Sequence, residues 1–170
     1  GDPQTDQAAQ TLARQILQTA GVPAGLIVQV GGVDARLAVA LRANDRCLVQ
    51  CLDTDAEKVR AAREQIQAGG GYGSISVDGF DGRHLPYVDN TVNLVLVRGP
   101  TSVDRQELLR VLCPGGVAFC TTDHEQLASN KITKPWPEDV DQWTHYLHDP
   151  SGNPVARDQR VGPPRHLQWT

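Results

Sequence analysis

The feature that most constrains the fold of this sequence is a regular alternation of short apolar runs with amphipathic segments. No two successive runs are joined by the two-residue turn that closes a β-hairpin. Strands that are separated by helical crossovers run parallel, and a parallel sheet is covered on both faces. The alternation therefore predicts a doubly wound, mainly parallel sheet in a three-layer α/β/α sandwich.

Five strands and four helices are expected along the chain. Strands are predicted at residues 26–30, 47–52, 74–77, 91–97 and 117–121. Helices are predicted at residues 8–19, from Asp34 to about 41, at 55–68 and at 105–112. Asp34 is the expected N-terminal cap of the second helix.

Composition places the chain among ordinary globular proteins. With 170 residues, 39% of them hydrophobic, it is long enough for one domain and a tail. The net charge is −4 and the Lys and Arg residues are scattered, so nucleic acid is not expected as a partner. The longest apolar stretches, such as residues 25–30 and 94–97, are far shorter than the roughly 20 residues that cross a bilayer, so no membrane span is expected. Because the chain contains no Met, we interpret it as a processed chain or a piece of a longer one.

The character of the sequence changes near residue 125. Residues 131–170 hold six of the eleven prolines and all three tryptophans, and no helix or strand period is visible there. The sequence therefore predicts a sheet domain at residues 1–124 and a Pro- and Trp-rich tail at 125–170. The tail is too apolar for a free spacer, so we expect it to contact the sheet domain or a module that follows it.

Two features place a candidate ligand site at the ends of the first two strands. Gly31 and Gly32 follow the first strand, and Asp53 ends the second strand, 22 residues after Gly31. A carboxylate about 20 residues after such a loop accepts hydrogen bonds from ribose hydroxyls in many nucleotide-binding folds. Alternatively, either Asp53 or Asp55 caps the helix that follows. The sequence leaves these two interpretations open.

Asp34 indicates whether the ligand of this site carries phosphate groups. A dinucleotide places its pyrophosphate on the N-terminus of the first helix after the glycine loop. A carboxylate at that position competes with phosphate, so NAD and nucleoside triphosphates fit poorly. A phosphate-free, cationic ligand meets no such objection.

Four stretches resemble, in order and spacing, the successive motifs of class I S-adenosylmethionine-dependent methyltransferases: residues 26–38, 49–63, 77–97 and 107–119. The most specific parts are Asp81-x-x-x-Leu85-Pro86-Tyr87 and the run at residues 109–116. The resemblance implies a Rossmann-like sheet of strand order 3-2-1-4-5. It also implies that residues 114–116, Pro-Gly-Gly, form a tight turn into the fifth strand.

The same resemblance implies a cofactor site for S-adenosylmethionine. Gly31 and Gly32 would face its methionine and ribose part, and Asp53 would hold the ribose diol. Asp81, with the backbone of Gly82, would read the amino edge of the adenine. No catalytic residue is assigned, because candidate bases such as His84 and the pair at residues 123–124 are also ordinary loop residues.

The sequence also departs from the family. Gln29 stands where the family usually has an acidic residue, Val33 stands where it has a further glycine, and the tail offers no candidates for the last strands. Three functions therefore stay under consideration: an active methyltransferase, a non-catalytic interaction or structural module that kept the scaffold, and, third, an NAD-dependent oxidoreductase.

Residues 141–149 and 161–169 carry a second resemblance, to the lead-in of pyrroloquinoline-quinone-type β-propellers in exported bacterial proteins. It implies a propeller beyond residue 170 as the partner domain and a periplasmic or exported parent chain. Otherwise, a cytoplasmic location is expected. The four cysteines lack Cys-x-x-Cys spacing and are expected to be buried free thiols, although their pairing is open: Cys47, Cys51, Cys113 and Cys120.

Overall fold

The computed structural model describes residues 3–71, 73–99, 101–120, 130–140 and 151. Within them the chain forms four helices and six strands. In chain order these are α1 Pro3–Ala20, β1 Gly25–Val30, α2 Ala35–Leu41, β2 Cys47–Asp53, α3 Ala56–Ala68, β3 Ile75–Gly79, β4 Val92–Val97, α4 Arg105–Val111, β5 Leu112–Cys120 and β6 Lys131–Thr133.

The six strands form one sheet of order β3-β2-β1-β4-β5-β6. The first five are parallel, and β6 runs antiparallel to β5. One face packs on α1, α2 and α3 through residues such as Ile16, Leu37 and Val59. The other face packs on α4 and the loop before β4, through residues such as Leu108 and Leu85. The predicted α/β/α sandwich and its strand order are confirmed.

Each helix after β1 begins at an aspartate that satisfies its first free amides. Asp34 caps α2, Asp55 caps α3 and Asp104 caps α4. A side-chain acceptor at this position supplies a hydrogen bond that the helix cannot make internally. The prediction that Asp34 caps the second helix is confirmed.

The longest helix, α1, is amphipathic and lies on the sheet through a narrow apolar stripe. Ala13 and Ile16 are buried in the core, whereas most of its other side chains are exposed. None of the helices in the described part of the chain is both long and apolar enough to cross a membrane.

The expectation of no strand in the tail is wrong at residues 131–133. Lys131–Thr133 forms β6, with Ile132 opposite Ala118 of β5. Three residues are too few to show a strand period, so the pairing depends on the free edge of β5 and on the packing of Ile132 against the core. The sheet therefore continues for one antiparallel strand beyond β5.

The Pro-Gly-Gly stretch at residues 114–116 lies within β5 rather than in a turn before it. The pairing of β4 with β5 shifts register here, between Val92 opposite Leu112 and Leu94 opposite Val117. Gly115 has a φ of 78°, which only glycine adopts without strain. The glycines therefore form an irregularity inside the strand.

The chain divides into two compact units, Gly1–Lys134 and Pro135–Thr170. The whole sheet lies in the first unit, and the candidate site described below belongs to it alone. The tail segments that carry the second resemblance, at residues 141–149 and 161–169, fall outside the described residues.

The four cysteines are free thiols. Cys47 and Cys51 are buried as predicted, whereas Cys113 and Cys120 are only half-buried. Burial raises the pKa of Cys120, and it raises the pKa of Cys51 to about 12 with a smaller contribution from the Asp34 carboxylate. Both thiols therefore stay protonated at neutral pH.

Candidate functional site

The two glycines after β1 occupy different surroundings. Gly31 is buried, with a φ of 67°, and a Cβ atom on it would lie 3.0 Å from the Cα atom of Gly99. Gly32, with a φ of 54°, is exposed, and a Cβ atom there would meet nothing closer than the Arg98 carbonyl oxygen at 3.7 Å. Gly31 is therefore needed for the close approach of the loop after β4, whereas Gly32 leaves its surface accessible.

Asp53 is the most informative residue at this edge of the sheet. It is only 4% exposed, and its Oδ1 atom accepts a hydrogen bond from the amide of Asp55 at 3.0 Å. Its Oδ2 atom is buried and has no hydrogen-bond partner among the described residues. Buried carboxylate oxygens are rarely left unpaired, because removing them from water is costly.

Asp55, and not Asp53, is the N-terminal cap of α3. Asp55 accepts hydrogen bonds from the amides of Glu57 at 3.0 Å and Lys58 at 3.4 Å. Asp53 does not cap the helix. Its second oxygen is therefore available at the end of β2, beside Gly31, whose amide donates to the Leu52 carbonyl at 2.8 Å.

A neutral pair lies on β1 and β2 just before the glycine loop. Gln29 is fully buried and lies opposite Cys51, whose thiol donates to Gln29 Oε1 at 3.3 Å. Gln29 Nε2 is buried without a partner in the described part of the chain. Because the pKa of Cys51 is raised to about 12, neither side chain brings a charge to this position.

Asp81 lies in an exposed turn after β3, and both of its carboxylate oxygens are engaged there. Oδ1 accepts from the amides of Arg83 at 2.8 Å and His84 at 2.7 Å, and Oδ2 lies 2.7 Å from His84 Nδ1. These hydrogen bonds, that of the His84 amide foremost, lower the pKa of Asp81 to about 2. His84, the candidate base, is thus paired with Asp81.

Gly82 joins this turn to the end of β2. It has a φ of 83°, and a Cβ atom on it would lie 2.9 Å from Thr54 Cγ2. Its carbonyl accepts from the Ser102 amide at 2.8 Å and from Thr101 Oγ1 at 2.9 Å. The structure therefore brings Gly31, Asp53 and Gly82 to one edge of the sheet.

A pair of charged residues on α4 holds the loop that follows Asp81. Arg110 donates to both carboxylate oxygens of Glu107 at 2.7 Å, and Glu107 also accepts from the Leu85 amide at 2.7 Å. Arg110 donates further to the Tyr87 carbonyl at 2.7 Å and to Asp89 at 2.9 Å. Arg110 lowers the pKa of Glu107. The two most specific sequence motifs thus meet in one hydrogen-bond network.

The N-terminus of α2 is already occupied by a side chain. Asp34 Oδ1 accepts from the amides of Arg36 and Leu37, each at 3.1 Å, and Oδ2 lies 3.3 Å from Arg98 Nη1. Val33 packs against the apolar core beside this cap. Amides that a pyrophosphate would use are therefore bonded within the protein.

An open cleft of about 940 Å³ lies beside Gly32. The N-terminal half of α1 lines it with mostly small and apolar side chains, and Asp34, Arg36 and Arg98 contribute charges. The sequence assigns no role to Gly99, Glu107 or Arg110. The only signal for them was the family resemblance, whose specific run at residues 109–116 contains Arg110 but does not reveal what that residue contacts.

No group of three metal-binding side chains occurs among the residues that the structure describes. The candidate base at residues 123–124 lies outside them.

No protein-family model matches the chain, and no curated protein matches it. Solved structures do match it. A putative S-adenosyl-L-methionine-dependent methyltransferase from Methanococcus maripaludis is 22% identical, with a TM-score of 0.56, over 68% of this chain and 59% of that one. The [4+2]-cyclase SpnF is 21% identical, with a TM-score of 0.57, over 66% of this chain and 44% of that one.

A geranyl diphosphate methyltransferase in complex with S-adenosylmethionine is 17% identical, with a TM-score of 0.54, over 69% of this chain and 54% of that one. The chain thus spans less than two thirds of the length of each of these three proteins. Together with the strand order and the two helical layers, these similarities show that the chain has a class I methyltransferase-like fold.

Proposed function

We propose that this domain binds S-adenosylmethionine, or a closely related phosphate-free adenosine compound, at the carboxyl edge of β1 and β2. The single observation that carries the proposal is the buried Asp53 Oδ2 atom without a partner among the described residues. A ribose diol offers two hydroxyl donors, and a charge-assisted hydrogen bond from one of them would satisfy this oxygen.

The neighbouring residues support a ligand without phosphate. Asp34 already bonds the amides at the start of α2, so a pyrophosphate would meet a carboxylate instead of free donors. Gly32 is exposed and has no side chain, which leaves room for the amino-acid part of the ligand. The proposed contact of Asp81 and Gly82 with adenine remains a prediction.

The neutral pair of Gln29 and Cys51 affects which charge state of the ligand sulfur the site prefers. An acidic residue at position 29 would favour a cationic sulfonium compound, whereas an amide does not. We therefore expect the neutral-sulfur product, S-adenosylhomocysteine, to bind at least as tightly as S-adenosylmethionine.

Methyl transfer would require little beyond in-line positioning of an acceptor, because bound S-adenosylmethionine supplies the reactive methyl group. The fold does not fix the reaction, since one structural neighbour is named as a [4+2]-cyclase. The proposal is therefore that of a cofactor-binding domain, for which transfer to an acceptor is the reaction to test next.

The larger context rests on sequence alone. The resemblance of the tail to the lead-in of a propeller supports an exported parent chain with a further β-propeller domain. The mass of the native protein, measured in a periplasmic extract of the source organism, tests this. A mass close to that of the 170-residue chain, or a protein confined to the cytoplasm, would contradict it.

Isothermal titration calorimetry tests the cofactor proposal. S-adenosylhomocysteine is expected to bind in the micromolar range, and Asp53→Asn is expected to weaken binding by about 10- to 100-fold, the value of a hydrogen bond to a charged group. Asp45→Asn is the matched control, because the Asp45 side chain is 96% exposed.

Two results would contradict the proposal. One is the absence of heat at millimolar S-adenosylhomocysteine, which would favour the non-catalytic module. The other is equal affinity in Asp53→Asn and the unmodified chain. Saturable binding of NADH, in preference to S-adenosylhomocysteine, would instead favour the oxidoreductase.

A further inference from the structure

The cleft beside Gly32 contains a cationic side chain to which the proposed nucleoside site assigns no role. Arg98 follows β4 and lines the cleft together with Gly32 and Asp34. Its amide donates to the Val30 carbonyl at 2.9 Å, which fixes the start of its side chain at the edge of the sheet. The Arg98 side chain is 22% exposed.

Most of the hydrogen-bonding capacity of Arg98 is unused. A guanidinium carries five N–H donors, and within the described residues one of them has a partner, Asp34 Oδ2 at a long 3.3 Å. The other oxygen of Asp34 is committed to the cap of α2. Arg36, also in the cleft lining, is paired with Asp6 at 3.6 Å. The Arg36 side chain is 48% exposed, so Arg98 is the less exposed of the two cations in the cleft, and it has donors to spare.

We propose that Arg98 binds the carboxylate of a small molecule in this cleft. The planar fork of a guanidinium matches a carboxylate in two parallel hydrogen bonds. The rest of the lining includes the apolar side chains of Ala8, Leu12 and Val33, which suit an apolar body attached to the acid. A volume of about 940 Å³ is large enough for a small-molecule ligand.

The Asp34 carboxylate beside Arg98 restricts the charge of this ligand. A phosphate monoester carries nearly two negative charges at neutral pH and would be repelled by Asp34 more strongly than a carboxylate. The pair of Arg98 and Asp34 thus favours a monoanion.

Two different ligands could supply this carboxylate. One is the amino-acid end of the proposed cofactor, in which case the inference rests on the proposed function. The other is an acidic second substrate held beside that cofactor. The two sources are distinguished by two pairs of probes, of which one differs in the carboxyl group and the other in the amino-acid end of the cofactor.

The first arm uses benzoate and its neutral analogue benzamide, titrated into the ligand-free chain and followed by amide chemical shifts of residues 31–36 and 98–99. Benzoate is expected to bind about tenfold more tightly than benzamide. Arg98→Gln is expected to remove this preference and leave benzamide binding unchanged.

The second arm uses S-adenosylhomocysteine and 5′-methylthioadenosine, which lacks the amino-acid end. If Arg98 holds the carboxylate of the cofactor, Arg98→Gln weakens S-adenosylhomocysteine binding by about tenfold and leaves 5′-methylthioadenosine binding unchanged. Arg36→Gln is the matched control, because Arg36 lines the same cleft but is paired with Asp6. Arg36→Gln is expected to change the affinity for either nucleoside less than twofold.

Asp34→Asn is a second variant that does not depend on the folding of Arg98→Gln. Asparagine is as good a helix cap as aspartate, so α2 is preserved. Removing the neighbouring negative charge is expected to strengthen benzoate binding by about threefold.

A positive first arm with an unchanged second arm identifies a second substrate, and a positive second arm identifies the cofactor. The inference is overturned if benzoate and benzamide bind alike and Arg98→Gln affects the two nucleosides equally. If neither nucleoside binds, the proposed function fails, and the benzoate arm alone decides about Arg98.

Discussion

The edge of the sheet at β1 and β2 and the loop at residues 81–89 use their polar groups in opposite ways. At the edge, Asp53 Oδ2 and Gln29 Nε2 are buried without partners among the described residues. In the loop, both oxygens of Asp81 bond within the turn. On α4, both oxygens of Glu107 accept from Arg110, and the pair holds the loop through Leu85 and Tyr87. The first region has hydrogen-bonding capacity to give to a ligand, and the second uses its capacity to hold the loop in place.

The family resemblance places Asp53 and Asp81 in one cofactor site. The difference between the two regions indicates that these residues have separate roles. Unsatisfied buried polar groups destabilise a fold unless something binds them, so they indicate a ligand. A satisfied network instead stabilises the chain and defines a loop geometry. We therefore expect substitutions of the buried polar groups at the edge to affect ligand binding, and substitutions in the polar network of the loop to affect stability.

The largest effect is expected from Gly99→Ala, which acts on the edge. The added Cβ atom would lie 2.8 Å from the Gly32 amide nitrogen and 3.0 Å from the Gly31 carbonyl carbon, and both of these are backbone atoms that cannot simply rotate away. We expect a loss of about 2–3 kcal/mol in the free energy of unfolding, the upper range for overpacking.

Urea denaturation measures this loss, and Gly69→Ala is the control. Gly69 is the C-cap of α3, with a φ of −82°, and a Cβ atom there would meet only ordinary contacts, the nearest at 3.5 Å. Equal stability of Gly99→Ala and Gly69→Ala would show that the two loops are not closely packed.

A smaller loss is expected from Glu107→Ala, which acts on the loop. This change removes one of the partners of Arg110 and leaves the Leu85 amide without its acceptor. We expect a loss of about 2 kcal/mol in unfolding free energy. The affinity of the chain for S-adenosylhomocysteine should change much less.

Glu64→Ala is the control for Glu107→Ala. Glu64 is 68% exposed and lies 3.6 Å from Arg60, so its loss should cost less than about 0.5 kcal/mol. A larger effect of Glu107→Ala on ligand affinity than on stability would reverse the assignment of roles.

The smallest effect is expected in the pH dependence of the stability that Asp81 contributes to the loop. The pKa of Asp81 is lowered from 3.8 to about 2, so the folded state favours the ionised carboxylate. Its contribution to stability is complete above pH 3.8 and is lost as the pH falls toward 2. In a carbon-13 NMR titration, the carboxyl carbon of Asp81 should titrate with a midpoint near 2.

The variant Asp81→Asn should be less stable than the unmodified chain at pH 6 and equally stable below pH 2. A titration midpoint near 3.8 would show that the turn does not bind the carboxylate, and would leave Asp81 free for another partner.

The fold could be predicted because it follows from local patterns. Alternating apolar runs specify the strands, and Asp34 is next to the helix that it caps. β6 could not be predicted, because three residues carry no period and the pairing depends on the edge of a strand that ends at Cys120.

The site could be predicted only in part. Asp53 and Asp55 are equivalent as local caps, and only the packed sheet shows that Asp55 caps α3 while Asp53 is buried with one oxygen unpaired. The contacts of Arg110 with Leu85 join residues 25 positions apart in the chain. No local pattern specifies a hydrogen bond over such a distance.

The most direct test of the central claim is a crystal structure of the chain with bound S-adenosylhomocysteine. We predict that a ribose hydroxyl lies 2.5–3.0 Å, the usual range for such a hydrogen bond, from Asp53 Oδ2. A nucleoside bound elsewhere, or Asp53 Oδ2 bonded only to water or to protein in the complex, would contradict the assignment of this edge as the cofactor site.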